Sequence, residues 1–404
     1  MKYDFSTVLQ RKGHDALAVD VVGKPGSPIP VAPKAGFDAI PMWVADMNFP
    51  VVPTVQEEMA KRLQHPTFGY FEPREEYYDS IIRWQRSHNG VTELRKEHIG
   101  YQNGVLGGVA SALEVFCSRG DKILVHSPTY IGFTNTLTNN GHQIVHSPLV
   151  PDEQGVWRMD FEDMERLLRQ EHIHAAVFCS PHNPTGRVWE RWEVEQVMEL
   201  FRKYDVMVVS DEIWSDILLE GYTHVPTQSV SEDAKRRTIA LYAPSKTFNL
   251  AGLVGSYHII YDSLLRDRME KQMSLSHYNT MNVMSMYALI GAYKPEGYQW
   301  VEELRQVITA NVDFAVAYIR SHFEGVSVTR PQGTYMLFLD CTKWCADQGR
   351  TLDEVLRAGW EVGVCWQDGR PFHGECHIRV NLALPMSRVQ EAFQRLDDHV
   401  FCQG

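Results

Sequence analysis

A lysine, an aspartate and an asparagine each stand at the end of an apolar run in this chain, and together they can do carbonyl chemistry. Lys246 lies in Ala243-Pro244-Ser245-Lys246-Thr247-Phe248-Asn249, directly after the run Thr238–Ala243, which reads as a buried strand. The carboxyl end of such a strand is where α/β proteins build ligand sites, and an amine held there can form a Schiff base with an aldehyde. Asp211 closes the run Val206–Ser210. Asn183 lies in Ser180-Pro181-His182-Asn183-Pro184-Thr185-Gly186, 28 residues before Asp211 and 63 before Lys246. Taken singly, the aspartate reads as a helix cap and the asparagine string as a turn. Taken jointly, in this order, they have the layout of a pyridoxal 5′-phosphate site.

Pyridoxal chemistry asks a protein for a lysine, a carboxylate at the ring nitrogen, a donor at the ring oxygen and a cradle for the phosphate. Lys246, Asp211 and Asn183 meet the first three. The cradle is expected at Gln102-Asn103-Gly104-Val105-Leu106-Gly107-Gly108, opening a helix that runs to about Cys117. Gly104, Val105 and Leu106 would offer backbone N–H groups at a helix start, which bind phosphate well. Ser245 adds a hydroxyl. Tyr130, in Ser127-Pro128-Thr129-Tyr130, also follows a strand end and can stack on a flat ring. Arg379, inside the apolar string His377–Asn381, needs an anion, and a substrate carboxylate gripped by both its nitrogens would serve. Cys341-x3-Cys345 and His373-x2-Cys376-His377 hold metal-ligand residue types without the spacing of a metal site, so no metal is expected.

The elements that must position these residues follow from periodicity. Between about 100 and 260, short apolar runs (Lys122–His126, Gln143–His146, Ala175–Cys179, Val206–Ser210, Thr238–Tyr242, Gly255–Ile260) alternate with helical patterns such as Asp160–Gln170 and Glu190–Tyr204. That alternation predicts an α/β fold, a mainly parallel doubly wound sheet. After about 295 a long helix, Tyr298–Phe323, leads to separated strands at Val326–Thr329, Thr334–Asp340, Val362–Trp366 and Ile378–Leu382. Helices are expected at Leu352–Ala358 and Arg388–Val400. The expected division is a large cofactor-binding domain over 50–295, with residues 1–49 and 296–404 forming an arm and a smaller α+β domain.

With 404 residues the chain can bury a large core, and its net charge of −12 makes nucleic acid and anionic membranes poor partners. Seven cysteines (117, 179, 341, 345, 365, 376, 402) without framework spacing predict free thiols in a reducing compartment. The start, Met1-Lys2-Tyr3-Asp4-Phe5-Ser6, has no apolar leader, and no run nears ~18 apolar residues. A cytoplasmic protein with a small-molecule substrate is expected.

The chain resembles the fold-type I pyridoxal phosphate enzymes, the aspartate aminotransferase superfamily, through Asn183–Gly186, Ser210–Glu212, Ser245-Lys246 and Ile378-Arg379. Within it, the chain looks most like the MalY/PatB branch, the cystathionine and cysteine-conjugate β-lyases. The matching stretches are Pro41–Met47, Phe68–Tyr70, Cys179–Pro181, Pro244–Gly252 and Pro331–Tyr335. The resemblance implies Lys246 as Schiff-base lysine and Asp211 as ring-nitrogen partner. It makes Asn183 the ring-oxygen donor, Tyr130 the stacking ring and Arg379 the carboxylate clamp. Tyr70 would reach the neighbouring subunit's phosphate, implying a homodimer with shared active sites.

Three positions depart from family habit. Val254 stands eight residues after the lysine, where many aminotransferases have a phosphate-binding arginine that the lyase branch commonly lacks. Trp214 replaces the usual Tyr or His three residues after the aspartate, altering any tuning of the ring oxygen. Asn48 stands where Asp is more usual. Together with Trp43 and Tyr335, Trp214 would shape the substrate pocket. The implied activity is β-elimination: cleavage of cystathionine or a related cysteine S-conjugate to thiol, pyruvate and ammonia. Alternatives are a class I/II aminotransferase and, in another class, a regulatory binding protein on the same fold.

Overall fold

The computed structural model describes residues 1–275 and 278–401. Cys402, one of the expected thiols, lies outside them. The chain forms two compact units. One comprises Val51–His182 and Arg187–Glu302. The other comprises Met1–Pro50, the short segment Asn183–Gly186, and the chain from Glu303 onward.

The first unit is built on an eight-stranded sheet. In spatial order its strands are Ile99–Asn103, Gly255–Ile259, Thr238–Tyr242, Met207–Asp211, Ile173–Cys179, Lys122–Ser127, Gln143–Pro151 and Trp157–Met159. The four central pairings are parallel and the three outer ones antiparallel. Thr238–Tyr242 is buried at all five positions, as expected for a strand covered on both faces. Helices lie between the strands, and several are capped as their sequences suggest. Asp160 accepts the Asp163 N–H to start Phe161–Glu171, and Asp262 does the same for Leu265 at Ser263–Ser274.

Two backbone bonds lock neighbouring strand ends. The Ser180 N–H donates to the Asp211 carbonyl at 2.9 Å, and the Glu212 N–H donates to the Leu241 carbonyl at 2.9 Å. These parallel strand ends are therefore held together, with the aspartate at one of them and the turn that carries the lysine directly after another.

The edge strand Ile99–Asn103 was not expected, because Gly100 and two polar residues hide its alternation. The reason for the glycine is visible across the ladder. Gly100 pairs with His258, whose ring lies where a Cβ at position 100 would be. The helices Ser263–Ser274 and Val283–Ala292 were likewise not anticipated.

In the second unit, Met336–Asp340 and His377–Asn381 form the centre of a four-stranded antiparallel sheet, flanked by Ser327–Val328 and Gln367–Asp368. Leu352–Glu361 starts with a capping box between Thr351 and Glu354. The N-terminal arm joins this unit as a two-residue parallel ladder, Ile40 and Pro41 against Val364 and Cys365. The apolar residues of Val362–Trp366 thus form a shorter strand than their run suggests.

Candidate active site

In the first unit, Asp211 is the last residue of its strand and is buried. Its Oδ1 accepts the Ile213 backbone N–H at 3.0 Å. Burial raises its carboxyl to about 7. The Ile213 N–H and the nearby Lys246 charge only partly oppose that rise, and the Glu212 charge adds to it. A buried carboxyl in this condition is stabilised as an anion by any further cationic N–H donor brought to it.

Lys246 sits in the one-turn helix Pro244–Thr247, directly after the strand Thr238–Tyr242, and is half-buried. Its Nζ lies 5.9 Å from the centroid of the Trp214 ring, which is itself buried. Trp214 thus presents its face to the lysine, a cation–π arrangement. Ser245, half-buried in the same turn, accepts the Leu250 N–H through its carbonyl.

The glycine-rich turn begins the helix Val105–Phe116, as its composition suggests. Its N-cap, Gly104, takes a φ of +74°, which glycine adopts without strain, and has no side chain to occupy the first-turn N–H groups. A Cβ built on Gly104 would meet Val254 Cγ1 at 3.7 Å, so Val254 flanks the turn. Tyr130 belongs to the same neighbourhood. A Cβ at Gly132 would collide with the Tyr130 ring and lie 2.9 Å from Leu106 Cδ1, so ring and turn both come close to one bare glycine. Gly132 escaped the sequence reading, although Tyr130-Ile131-Gly132 carries the signal of a close approach.

Asn183, Arg379, Trp43 and Tyr335 belong to the second unit, and all are buried. Arg379 Nη1 donates to Asn183 Oδ1 at 3.1 Å, while Nη2 donates to the Trp43 carbonyl at 3.1 Å and to Gln367 Oε1 at 2.5 Å. The guanidinium lies over the Phe372 ring at 4.3 Å. These three acceptors are neutral oxygens that aim the arginine. Because arginine only donates, it also fixes the asparagine amide: the oxygen faces Arg379 and the NH2 is the outward donor. Gln367 and Phe372 had no signature in the sequence.

Asn48 is buried; its N–H donates to the Ala383 carbonyl and its Oδ1 accepts from Arg11, which also pairs with Asp46. Tyr70 is fully exposed in the first unit, and Phe68 is largely so. Both border an open apolar groove of about 720 Å³ lined further by Pro73, Met281 and Met284. Among the described residues no group of three or more His, Cys, Asp or Glu could hold a metal ion, and no helix is long and apolar enough to cross a membrane. Cys117, Cys179, Cys341, Cys345, Cys365 and Cys376 form no disulfide among the described residues.

The donor set fits pyridoxal phosphate. A lysine amine, a buried carboxyl wanting a cation and an uncapped glycine-led helix start occur in one unit. An amide NH2 and a buried arginine occur in the other.

A family model described as aminotransferase class I and II matches residues 40–396. The chain is similar to cystathionine beta-lyase PatB of Bacillus subtilis, at 32% identity, with 89% of this chain and 92% of the relative covered. It is similar to protein MalY of Escherichia coli at 27% identity, with 96% of each covered. Among solved structures it is similar to cystalysin from Treponema denticola, which contains a pyridoxal 5′-phosphate cofactor. The TM-score there is 0.90 at 29% identity, with 98% of each chain covered.

Proposed function

We propose a function from one premise: the chain belongs to the class I and II aminotransferase family. It is a pyridoxal phosphate-dependent carbon–sulfur β-lyase, cleaving cystathionine or a related cysteine S-conjugate to a thiol, pyruvate and ammonia. The observation that favours this over transamination is Val254 against Gly104, at the place where many aminotransferases put an arginine.

The cofactor, when bound, supplies an electron-accepting ring conjugated to the substrate nitrogen. Every other task falls to the protein. Lys246 Nζ would hold the cofactor at rest and, once released as a free amine, would take the substrate's Cα proton as general base. Asp211 would keep a proton on the ring nitrogen, supplying the cationic N–H its buried carboxyl favours. Asn183 would offer its NH2 to the ring oxygen. The N–H groups from Val105 and Leu106 onward, with the Ser245 hydroxyl, take the phosphate, and Gly104 keeps their approach open. Tyr130 would stack on the ring. Arg379 would grip the substrate carboxylate, and Trp43, Tyr335 and Trp214 are the residues proposed to set side-chain preference.

Supplying the holoenzyme with cystathionine and no 2-oxo acid tests the reaction type. Catalytic release of pyruvate and thiol supports the lyase. No product until a 2-oxo acid is added would make the protein an aminotransferase instead.

A homodimer accompanies this reading. The exposed rings of Phe68 and Tyr70 beside an apolar groove support it, since rings so placed gain by burial against a second copy. Tyr70 would then serve the partner's phosphate site. Light scattering should give twice the chain mass, and a monomer with full activity would contradict the shared site. The cytoplasm is the proposed location, and recovery among exported proteins on cell fractionation would contradict it.

A further inference from the structure

Asp216 is five residues beyond Asp211 and has no part in the roles given above, yet it is buried at 4% exposure. Its surroundings are buried too. Thr247 Oγ1 donates to Asp216 Oδ2 at 2.9 Å, and Trp84 Nε1 donates to both carboxyl oxygens, at 3.1 and 3.2 Å. Thr247 is the residue directly after Lys246. Trp84 stacks flat on Tyr293 at 4.3 Å and meets Phe248, the next residue along, edge-on at 5.5 Å. The chain just beyond Lys246 is therefore gripped at two consecutive residues, by Asp216 and by the tryptophan that Asp216 orients.

The other end of this link is equally tight. From Asp211 the chain winds through three turn bonds: Ile213 N–H to Asp211 Oδ1, Ser215 N–H to the Glu212 carbonyl, and Ile217 N–H to the Trp214 carbonyl. Asp216 thus sits on a wound segment that begins at Asp211, and its side chain ends on the turn that presents Lys246. The turn itself is short, closed by the Phe248 N–H on the Pro244 carbonyl at 2.8 Å. Four residues in one turn carry little stiffness of their own, so an external tie decides where the lysine points.

We propose that Asp216 is a positioning residue that sets the Lys246 amine relative to Asp211, acting through Thr247 and Trp84. It touches no reacting atom. Its contribution is to hold two groups from different strands at one separation, and displacing a reacting group by about 1 Å costs on the order of 100-fold in rate. The inference rests on the reading that Lys246 carries the cofactor.

The test uses the holoenzyme of Thr247→Val, Thr247→Ser, Trp84→Phe and Asp216→Asn. Four quantities are read: kcat and KM for cystathionine, the rate at which apo-protein and pyridoxal phosphate develop the absorbance band of lysine-bound cofactor, and the pH midpoint of that band. Thr247→Val keeps the side-chain shape and removes the donor. It should lower kcat by about 10-fold or more with little change in KM, slow cofactor attachment and move the midpoint, while Thr247→Ser restores all three. Trp84→Phe keeps an aromatic ring and should give the same changes in smaller degree, so the question is still answered if Asp216→Asn does not fold. Wild-type kcat, attachment rate and midpoint in Thr247→Val and Trp84→Phe, even with lowered thermal stability, would overturn the proposal. So would losses that serine does not repair. Absence of the band in the wild type would instead sink the cofactor reading itself.

Discussion

Asp211 and Glu212 are neighbours, both buried, and their carboxyl groups are driven in opposite directions. Burial pushes both up. Asp211 meets only one backbone N–H and the Lys246 charge, and it stays raised at about 7. Glu212 points away into a polar nest. His224 Nε2 donates to it at 2.7 Å, the Tyr242 hydroxyl at 2.6 Å, the Ser210 hydroxyl at 2.9 Å and the Thr227 N–H at 3.1 Å. Those donors, the histidine first, outweigh burial and hold Glu212 below its usual range. Alternation along the chain sends consecutive side chains to opposite sides of a sheet. Glu212 thus draws four donors from the protein, whereas Asp211, among the described residues, accepts one backbone N–H. The difference is what the proposed roles require, a structural role for Glu212 and a ligand-facing one for Asp211.

The largest effect should come from removing the cation beside the unsatisfied acid. Lys246→Ala should fold, lose the absorbance of lysine-bound cofactor and drop turnover by about 10⁴-fold or more. Full activity in that variant would break the whole assignment. Its loss should also raise Asp211 further, since the Lys246 charge helps hold it down.

Glu212→Gln should act on stability. It keeps the shape but gives His224 and Tyr242 an amide in place of a charge, and should cost about 2 kcal/mol in urea denaturation. The dependence has a sign. Glu212's folded value is depressed, so its stabilisation is present above the unfolded value of 4.5 and is lost as pH falls through the folded value.

Asp211 behaves oppositely in the protein without cofactor. Its folded value of about 7 lies above the unfolded 3.8, so its share of stability is intact below pH 3.8 and is lost as pH rises toward 7. Asp211→Asn should therefore make the cofactor-free protein more stable than wild type at pH 8 and little different at pH 4, by thermal unfolding. Equal stability at pH 8 would mean that Asp211 is already satisfied without the cofactor.

The smallest effect lies at the cradle. Val254 is a β-branched residue at a φ of +63°, a conformation unfavourable by about 1–2 kcal/mol. Val254→Gly should relieve part of it and raise stability by about 1 kcal/mol, measured by denaturation. A loss of stability would show that the valine side chain contributes more through packing than the backbone strain costs.

Much of this was legible in the sequence, for identifiable reasons. Asp211 and Lys246 follow apolar runs that pair in parallel within the sheet, and the helix start at Gly104 is marked by its own glycines, so their placement is a local property. Glu212 pointing away follows from alternation alone. Its partners His224 and Tyr242 do not, since nothing local links residues that meet only when strands pair. The same holds for the grip of Asp216 and Trp84 on the turn after Lys246, which joins residues 132 apart, and for Gln367 and Phe372 around Arg379. The strand Ile99–Asn103 was hidden because its pattern is interrupted by a glycine that only the facing His258 explains.

The contrast between the two acids is tested most directly by cystathionine cleavage in Asp211→Asn and Glu212→Gln holoenzymes, each assayed where thermal unfolding shows it folded. Asp211→Asn should lose turnover by about 100-fold or more, while Glu212→Gln keeps most of it. Comparable turnover in the two variants, or the larger loss in Glu212→Gln, would contradict the account.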